Sequence, residues 1–168
     1  EVKDSILSFK PEWVGYTAYT ANISAIKIIS EKIRAANPYI KQVVGGVHAT
    51  LDKNLSNTLT SIDYSIQREG EEAFTALVEN KDPKTIPGVI SRSKDSLINN
   101  GIAPVIKDID NLPMPEREKF WGIPKSERKN VDVSYICTIR GCPYKCTFCS
   151  EGSDYYNKIN YHSLEYVK

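Results

Sequence analysis

Hydrophobic positions along the first eighty residues follow two alternating rhythms. Trp13 to Thr17 is a short aromatic and β-branched run after Pro11, and Ile40 to Val44 and Ile62 to Ile66 repeat the type. Compact apolar runs bounded by turn residues predict buried strands. Between the first two, Ile26, Ile29, Ile33 and Ala36 recur at helical spacing, with Asn22 ahead as a cap and Asn37-Pro38 behind as a stop. A shorter helix is predicted over Asp52 to Leu59. Another is predicted over Glu71 to Glu79, with Ala73, Phe74, Leu77 and Val78 inward and acidic residues in the first turn. Strand and helix alternate three times through short connections, the pattern of a parallel sheet covered by helices. The expected fold class is therefore α/β, a partial doubly wound sheet.

From Lys81 the pattern changes. Ile86 to Arg92 and Ser96 to Asn99 predict a hairpin around Lys94-Asp95. Pro104 to Pro124 is proline-rich with few apolar residues and predicts an extended connector, either a plain flexible linker or, favoured by the anchors Ile109, Leu112, Met114 and Trp121, a docked segment. Val131 to Thr138 predicts a further strand, and Ser163 caps a helix just beginning. Three parts are expected: residues 1–80, 81–130 and 131–168. The N-terminus reads as the end of a helix running toward a strand, and both ends read as cut, so a fragment of a longer polypeptide is expected.

Composition narrows the function classes. With 168 residues and a formal net charge of +1, the chain makes no electrostatic case for nucleic acid or an anionic membrane. No apolar run approaches the roughly 18 residues of a membrane span, and no basic stretch leads into an apolar one at the start. The four cysteines are few and clustered, which argues against a disulfide framework and for the cytoplasm.

Three of those cysteines, Cys142, Cys146 and Cys149, are spaced C-x3-C-x2-C. Thiolates are soft ligands for iron–sulfur clusters or zinc. Three of them on an iron cubane leave one iron open to a small molecule. A zinc knuckle would need a fourth ligand, Cys137 or His162. Structural zinc sites usually pair two cysteines with a second distant pair, and the sequence has none. Cys137 falls inside the preceding predicted strand and reads as a small buried residue.

Open parallel sheets bind ligands outside the carboxyl ends of their strands. The loops leaving those ends are Thr17 to Asn22, Gly45 to Thr50 and Gln67 to Glu71. Gly45-Gly46 permits close backbone approach, and the hydroxyls of Thr17, Thr20 and Thr50 can bond polar ligand edges. By itself a Gly-Gly after a strand is also an ordinary turn, and a lone His48 is also an ordinary loop residue.

The run Thr138-Ile-Arg-Gly-Cys-Pro-Tyr-Lys-Cys-Thr-Phe-Cys-Ser150 resembles the signature of radical S-adenosylmethionine (SAM) enzymes. Val14-Gly-Tyr-Thr-Ala-Tyr-Thr-Ala-Asn22, Gly45-Gly-Val-His-Ala-Thr50 and Arg68-Glu-Gly-Glu71 fall in the order seen in cobalamin-binding domains fused to such enzymes. These include the anaerobic magnesium-protoporphyrin ester oxidative cyclase group and related class B methyltransferases. Ile106-Lys-Asp-Ile-Asp-Asn-Leu-Pro-Met-Pro115 is similar to their connector.

The resemblance implies a flavodoxin-like, cobalamin-binding sheet followed by the start of a radical SAM β/α barrel. It implies that Thr17, Thr20, Gly45, Gly46, His48 and Thr50 line the slot for the cobalamin nucleotide tail. His48 then belongs to the tail and not to cobalt. Cys142, Cys146 and Cys149 would hold a [4Fe-4S] cluster, and the backbone around Phe148 would meet the adenine of SAM. The implied chemistry is a 5′-deoxyadenosyl radical used for methyl transfer or oxidative cyclisation of a small-molecule substrate. An electron donor such as flavodoxin or ferredoxin would supply the cluster.

The position before Glu69, often glycine in that family, is Arg68 here. The family's first two strands and its Gly-Gly-Glu region are not in the sequence, so this chain alone is expected to be inactive. The competing expectations are a zinc-binding module that recruits a partner, and a radical SAM enzyme that does not use cobalamin.

Overall fold

The computed structural model describes residues 1–93, 96–115, 136–149 and 159–168. They fall into two compact units, Glu1–Val105 and Ile106–Lys168.

The first unit is a five-stranded sheet in the order β1 (Trp13–Thr17), β2 (Lys41–Gly45), β3 (Tyr64–Ile66), β4 (Val89–Arg92) and β5 (Leu97–Asn99). The first three strands are parallel, with Gly15 opposite Val43 and Val44 opposite Ser65. Helix α1 (Val2–Ser8) precedes β1, and α2 (Ile23–Ala36) crosses from β1 to β2. Two short helices, α3 (Val47–Leu51) and α4 (Leu55–Thr58), lead to β3, and α5 (Glu71–Val78) follows it.

The predicted hairpin joins this sheet. Strand β4 runs antiparallel to β3, with Ile66 opposite Val89, and β5 runs antiparallel to β4. Val89 and Ile90 are buried, so the hairpin gives the free edge of β3 both a ladder and an apolar partner. The turn at Lys94-Asp95 lies outside the described residues.

Packing on the two sheet faces explains where side chains depart from the pattern. Ile26 and Ile33 of α2 are buried, as expected, but Ala36 is exposed and Ser30 takes its place in the buried stripe. The backbone carbonyl of Ser30 accepts a bond from Gln42 Nε2 at 3.1 Å, so a polar contact, not an apolar one, closes that part of the face. On α5, Ala73, Ala76 and Leu77 face the sheet, while Phe74 and Val78 are exposed at 38% and 45%. The small alanines let the helix approach closely. Phe74 stays at the rim, edge-on to Trp13 at 5.8 Å. Asn22 occupies the N-cap position of α2, but its side chain makes no cap bond. It reaches back instead, donating to Thr17 O at 2.9 Å and accepting from Tyr19 N at 2.9 Å.

In the second unit, β6 (Ile139–Arg140) pairs antiparallel with β7 (Asn160–Tyr161). A final helix, α6 (Leu164–Val167), is capped by Ser163, whose hydroxyl accepts from Tyr166 N at 3.1 Å. Ile109 of the connector is buried and Met114 is exposed; Trp121 lies outside the described residues. Most of the strand predicted at Val131 to Thr138 also lies outside them. Residues 136–138 are not strand, and Cys137 is exposed, not buried, because the regular ladder begins only at Ile139. Among the described residues, no helix is long and apolar enough to cross a membrane.

Candidate functional site

The carboxyl ends of β1, β2 and β3 form one rim of the first unit, and the loops there are tied to each other by hydrogen bonds. Ala18 N donates to Gly45 O at 2.7 Å, and His48 N donates to Ala18 O at 3.0 Å. Between these bonds sits Gly46, at φ 98° and ψ −177°, a backbone region open essentially to glycine alone. A Cβ at Gly46 would lie 3.0 Å from Ala18 O and 3.1 Å from Ala18 N. At Gly45 the nearest atom would be Ile66 O at 3.9 Å, an ordinary contact. Of the glycine pair, only the second is dictated by geometry. Residues 47–50, expected as loop, wind into α3, because the chain turns at Gly46 directly into helical conformation.

The predicted site residues converge in pairs. Thr20 Oγ1 lies 3.0 Å from His48 Nδ1, and His48 Nε2 lies 3.6 Å from Asp52 Oδ2. The imidazole therefore bridges the first loop and the far end of α3. Thr50 Oγ1 donates to Gly46 O at 3.2 Å and accepts from Arg68 N at 2.7 Å. Its hydroxyl joins the second loop to the third and is committed to protein partners. Arg68 adopts φ 64°, the left-handed region where a Cβ costs roughly 1–2 kcal/mol, which is the physical reason glycine suits this position. Thr17 and Thr20 are exposed on the rim. Asn22 was predicted only as a cap, yet its two bonds fix the turn between Thr17 and Tyr19. The preference of asparagine for turns was the available signal.

The cysteine loop leaves β6 through Gly141 at φ 94°. All four cysteines are free thiols, with Cys146 exposed and Cys142 and Cys149 half-buried. Cys149 N donates to Cys146 O at 3.1 Å, closing a tight turn that carries two of the three thiols. Phe148 is 91% exposed at the tip of that turn. Among the described residues, no three His, Cys, Asp or Glu side chains stand at metal-binding distance from one another. The donor set nonetheless fits an iron–sulfur cluster: three free thiols within eight residues, on an accessible turn that can close around it.

Of the two candidates for a fourth zinc ligand, Cys137 is exposed and the His162 side chain is 5% exposed. Cys137 Sγ lies 3.0 Å from Ile139 O. His162 has Nδ1 2.8 Å from Asp110 Oδ1 and its ring stacked on Tyr166 at 3.9 Å. Hydrogen bonds from Ser163 and His162 hold the Asp110 carboxyl below the ordinary carboxylate range.

The chain is similar to several known proteins. Residues 1–78 match the B12 binding domain model. Over 99% of its length the chain is 27% identical to an uncharacterized methyltransferase of Pyrococcus horikoshii, and it covers 37% of that protein. Over 90% of its length it is 29% identical to the anaerobic magnesium-protoporphyrin IX monomethyl ester cyclase of Rubrivivax gelatinosus, covering 29% of it. Among solved structures it is similar to the radical SAM methyltransferase TsrM of Kitasatospora setae, with a TM-score of 0.73 and 20% identity. That match covers 99% of this chain and 36% of TsrM. The chain thus spans less than two-fifths of each of these proteins, and the structural likeness establishes the fold.

Proposed function

We propose that the chain, whose residues 1–78 match the B12 binding domain model, is the junction of a cobalamin-dependent radical SAM enzyme. The coincidence in one chain of that domain with a C-x3-C-x2-C turn of free thiols carries the reading.

The rim of the first unit holds the nucleotide tail of cobalamin. Gly46 keeps the backbone free of a side chain where the first two loops touch, and the exposed hydroxyls of Thr17 and Thr20 bond the tail. Gly45, His48 and Thr50 complete the slot, with His48 and Thr50 holding neighbouring loops in place. In the second unit Cys142, Cys146 and Cys149 hold a [4Fe-4S] cluster, and the backbone at Phe148 receives the adenine of SAM. Bound there, the cofactors supply one-electron cleavage of SAM and a carrier for methyl groups or electrons. The chain's own residues bind, orient and space them.

The reaction class is methyl transfer or oxidative cyclisation of a small molecule. The partner is an electron donor of the flavodoxin or ferredoxin kind, and the setting is the cytoplasm, where thiols stay reduced.

Anaerobic reconstitution of the complete protein with iron, sulfide and hydroxocobalamin tests this. The expected result is a brown protein with thiolate-to-iron absorption, lost in Cys146→Ala, that also retains corrinoid at micromolar levels. Zinc held stoichiometrically in air without cluster uptake would overturn the radical SAM reading. Cluster uptake without corrinoid would overturn the cobalamin part alone.

A further inference from the structure

We propose that Asp110 positions the cysteine loop. By clasping His162 and the Ser163 amide, it fixes β7 against β6, the strand from which the loop departs, so that the three thiols are presented from a fixed base. The proposal rests on the reading of Cys142, Cys146 and Cys149 as cluster ligands.

Asp110 lies in a short 3-10 turn, Ile109–Asn111, that is itself well held. Asp108 Oδ1 accepts from Asp110 N at 3.1 Å, and Asn111 Nδ2 donates to Asp108 Oδ2 at 3.1 Å. Ile109 in the same turn is 1% exposed. From this base Asp110 Oδ1 lies 2.8 Å from His162 Nδ1, and both carboxylate oxygens accept from Ser163 N, at 3.2 and 3.1 Å. The His162 side chain is 5% exposed and lies flat against Tyr166, so its ring cannot swing away from the carboxylate without leaving the stack.

The tie continues toward the cysteines through backbone. His162 N donates to Thr138 O at 3.0 Å, and the ladder then pairs Tyr161 with Ile139 and Asn160 with Arg140. Asn160 Nδ2 adds a second link to the connector, donating to Ile106 O at 2.7 Å. Gly141 and Cys142 follow Arg140 directly. A ladder of two residues on each side is too short to set its own register. Directional, charge-assisted bonds accepted by Asp110 supply that constraint from outside the ladder.

The test uses the complete protein, reconstituted without oxygen, in wild-type, Asp110→Ala, Asp110→Asn and His162→Phe forms. His162→Phe keeps a ring to stack on Tyr166 and loses the Nδ1 bond. Four quantities are read: the rate at which a ferrous chelator strips iron, the electron paramagnetic resonance of the reduced cluster, corrinoid per chain, and amide exchange across 138–142 and 160–163.

Asp110→Ala and His162→Phe are expected to lose iron about tenfold faster than wild type, the factor set by one charge-assisted hydrogen bond, with altered resonance. Asp110→Asn, which keeps one acceptor oxygen, is expected to fall between. Corrinoid per chain should not change. Wild-type iron loss and exchange in both Asp110→Ala and His162→Phe would overturn the proposal. If the wild-type protein takes up no cluster, the ligand reading fails. In that case unchanged exchange in Asp110→Ala also refutes the clasp, whereas faster exchange leaves it standing as a structural tie.

Discussion

Thr20 and His48 meet across the gap between the first two strand-end loops, Oγ1 to Nδ1 at 3.0 Å. This contact is a side-chain link between the loop after β1 and helix α3. Replacing His48 by alanine leaves the Thr20 hydroxyl without its partner and loosens the first loop against the second. Hydroxocobalamin affinity is expected to fall about tenfold, the effect of one hydrogen bond. In the proposed reading His48 serves the tail and not cobalt, so the absorption spectrum of the bound corrinoid should not change. Titration followed by absorbance checks both. An altered corrinoid spectrum in His48→Ala would place the imidazole on the metal.

The two glycines of the second loop are expected to respond unequally. Gly46→Ala forces a Cβ against Ala18 at a φ of 98° and should cost about 2 kcal/mol or more. Gly45→Ala meets only Ile66 O at 3.9 Å and should cost less than about 1 kcal/mol. Urea denaturation of the two variants measures the difference, and equal costs would contradict the geometry.

Asp63 holds the opposite end of the sheet. One of its oxygens accepts from Arg34 Nη2 at 2.6 Å and from Gln42 N at 2.7 Å. Gln42 in turn ties β2 to the carbonyls of Ser30 and Ser61, both at 3.1 Å. Asp63→Ala leaves the buried Gln42 amide without its acceptor, while Arg34 keeps the carbonyls of Pro38, Ile40 and Ser61, and should destabilise by about 1–3 kcal/mol. Asp63→Asn keeps an acceptor oxygen and should cost less. The urea midpoints of the pair give the comparison.

At high pH the fold should weaken through Tyr16. Its hydroxyl donates to Gln42 Oε1 at 2.5 Å, and burial raises its pKa from 10.0 to about 12. The unfolded chain therefore loses this proton first. The contribution of the neutral phenol is fully present below pH 10.0 and is lost as pH rises toward about 12. Tyr16→Phe should flatten the decline, leaving the smaller share from Tyr64, whose phenol is also raised by burial. Urea midpoints measured across this alkaline window test the sign.

Much of this was readable from residue order alone, for definable reasons. Strands β1, β2 and β3 announce themselves because each is a short apolar run between turn residues, and α2 and α5 because their buried positions recur at helical spacing. Periodicity marks a face but not its limits. It could not show that Ser30 would be buried through a contact with Gln42 and Ala36 exposed, nor that Phe74 would stand at the rim beside Trp13. The site's residue types were legible in Thr20, Gly46 and His48. Their bonds were not, because Thr20 and His48 are 28 residues apart and only the parallel pairing of β1 with β2 brings them together. Helix α3 was hidden by the glycine pair, which reads as a turn until the backbone of Gly46 is known. The hairpin's place in the sheet depended on an open edge of β3, which a linear pattern does not reveal.

The clasp between Asp110 and His162 joins positions 52 residues apart, and the three cysteines proposed as cluster ligands lie between them. A ribosome delivers the chain from its N-terminal end, so Asp110 and every one of these thiols emerge before His162 exists. The described strands of the first unit have all been made by then, since the last of them ends at Asn99. The sulfur donors are thus accessible throughout their own translation, and their base shuts only when residues made after them arrive.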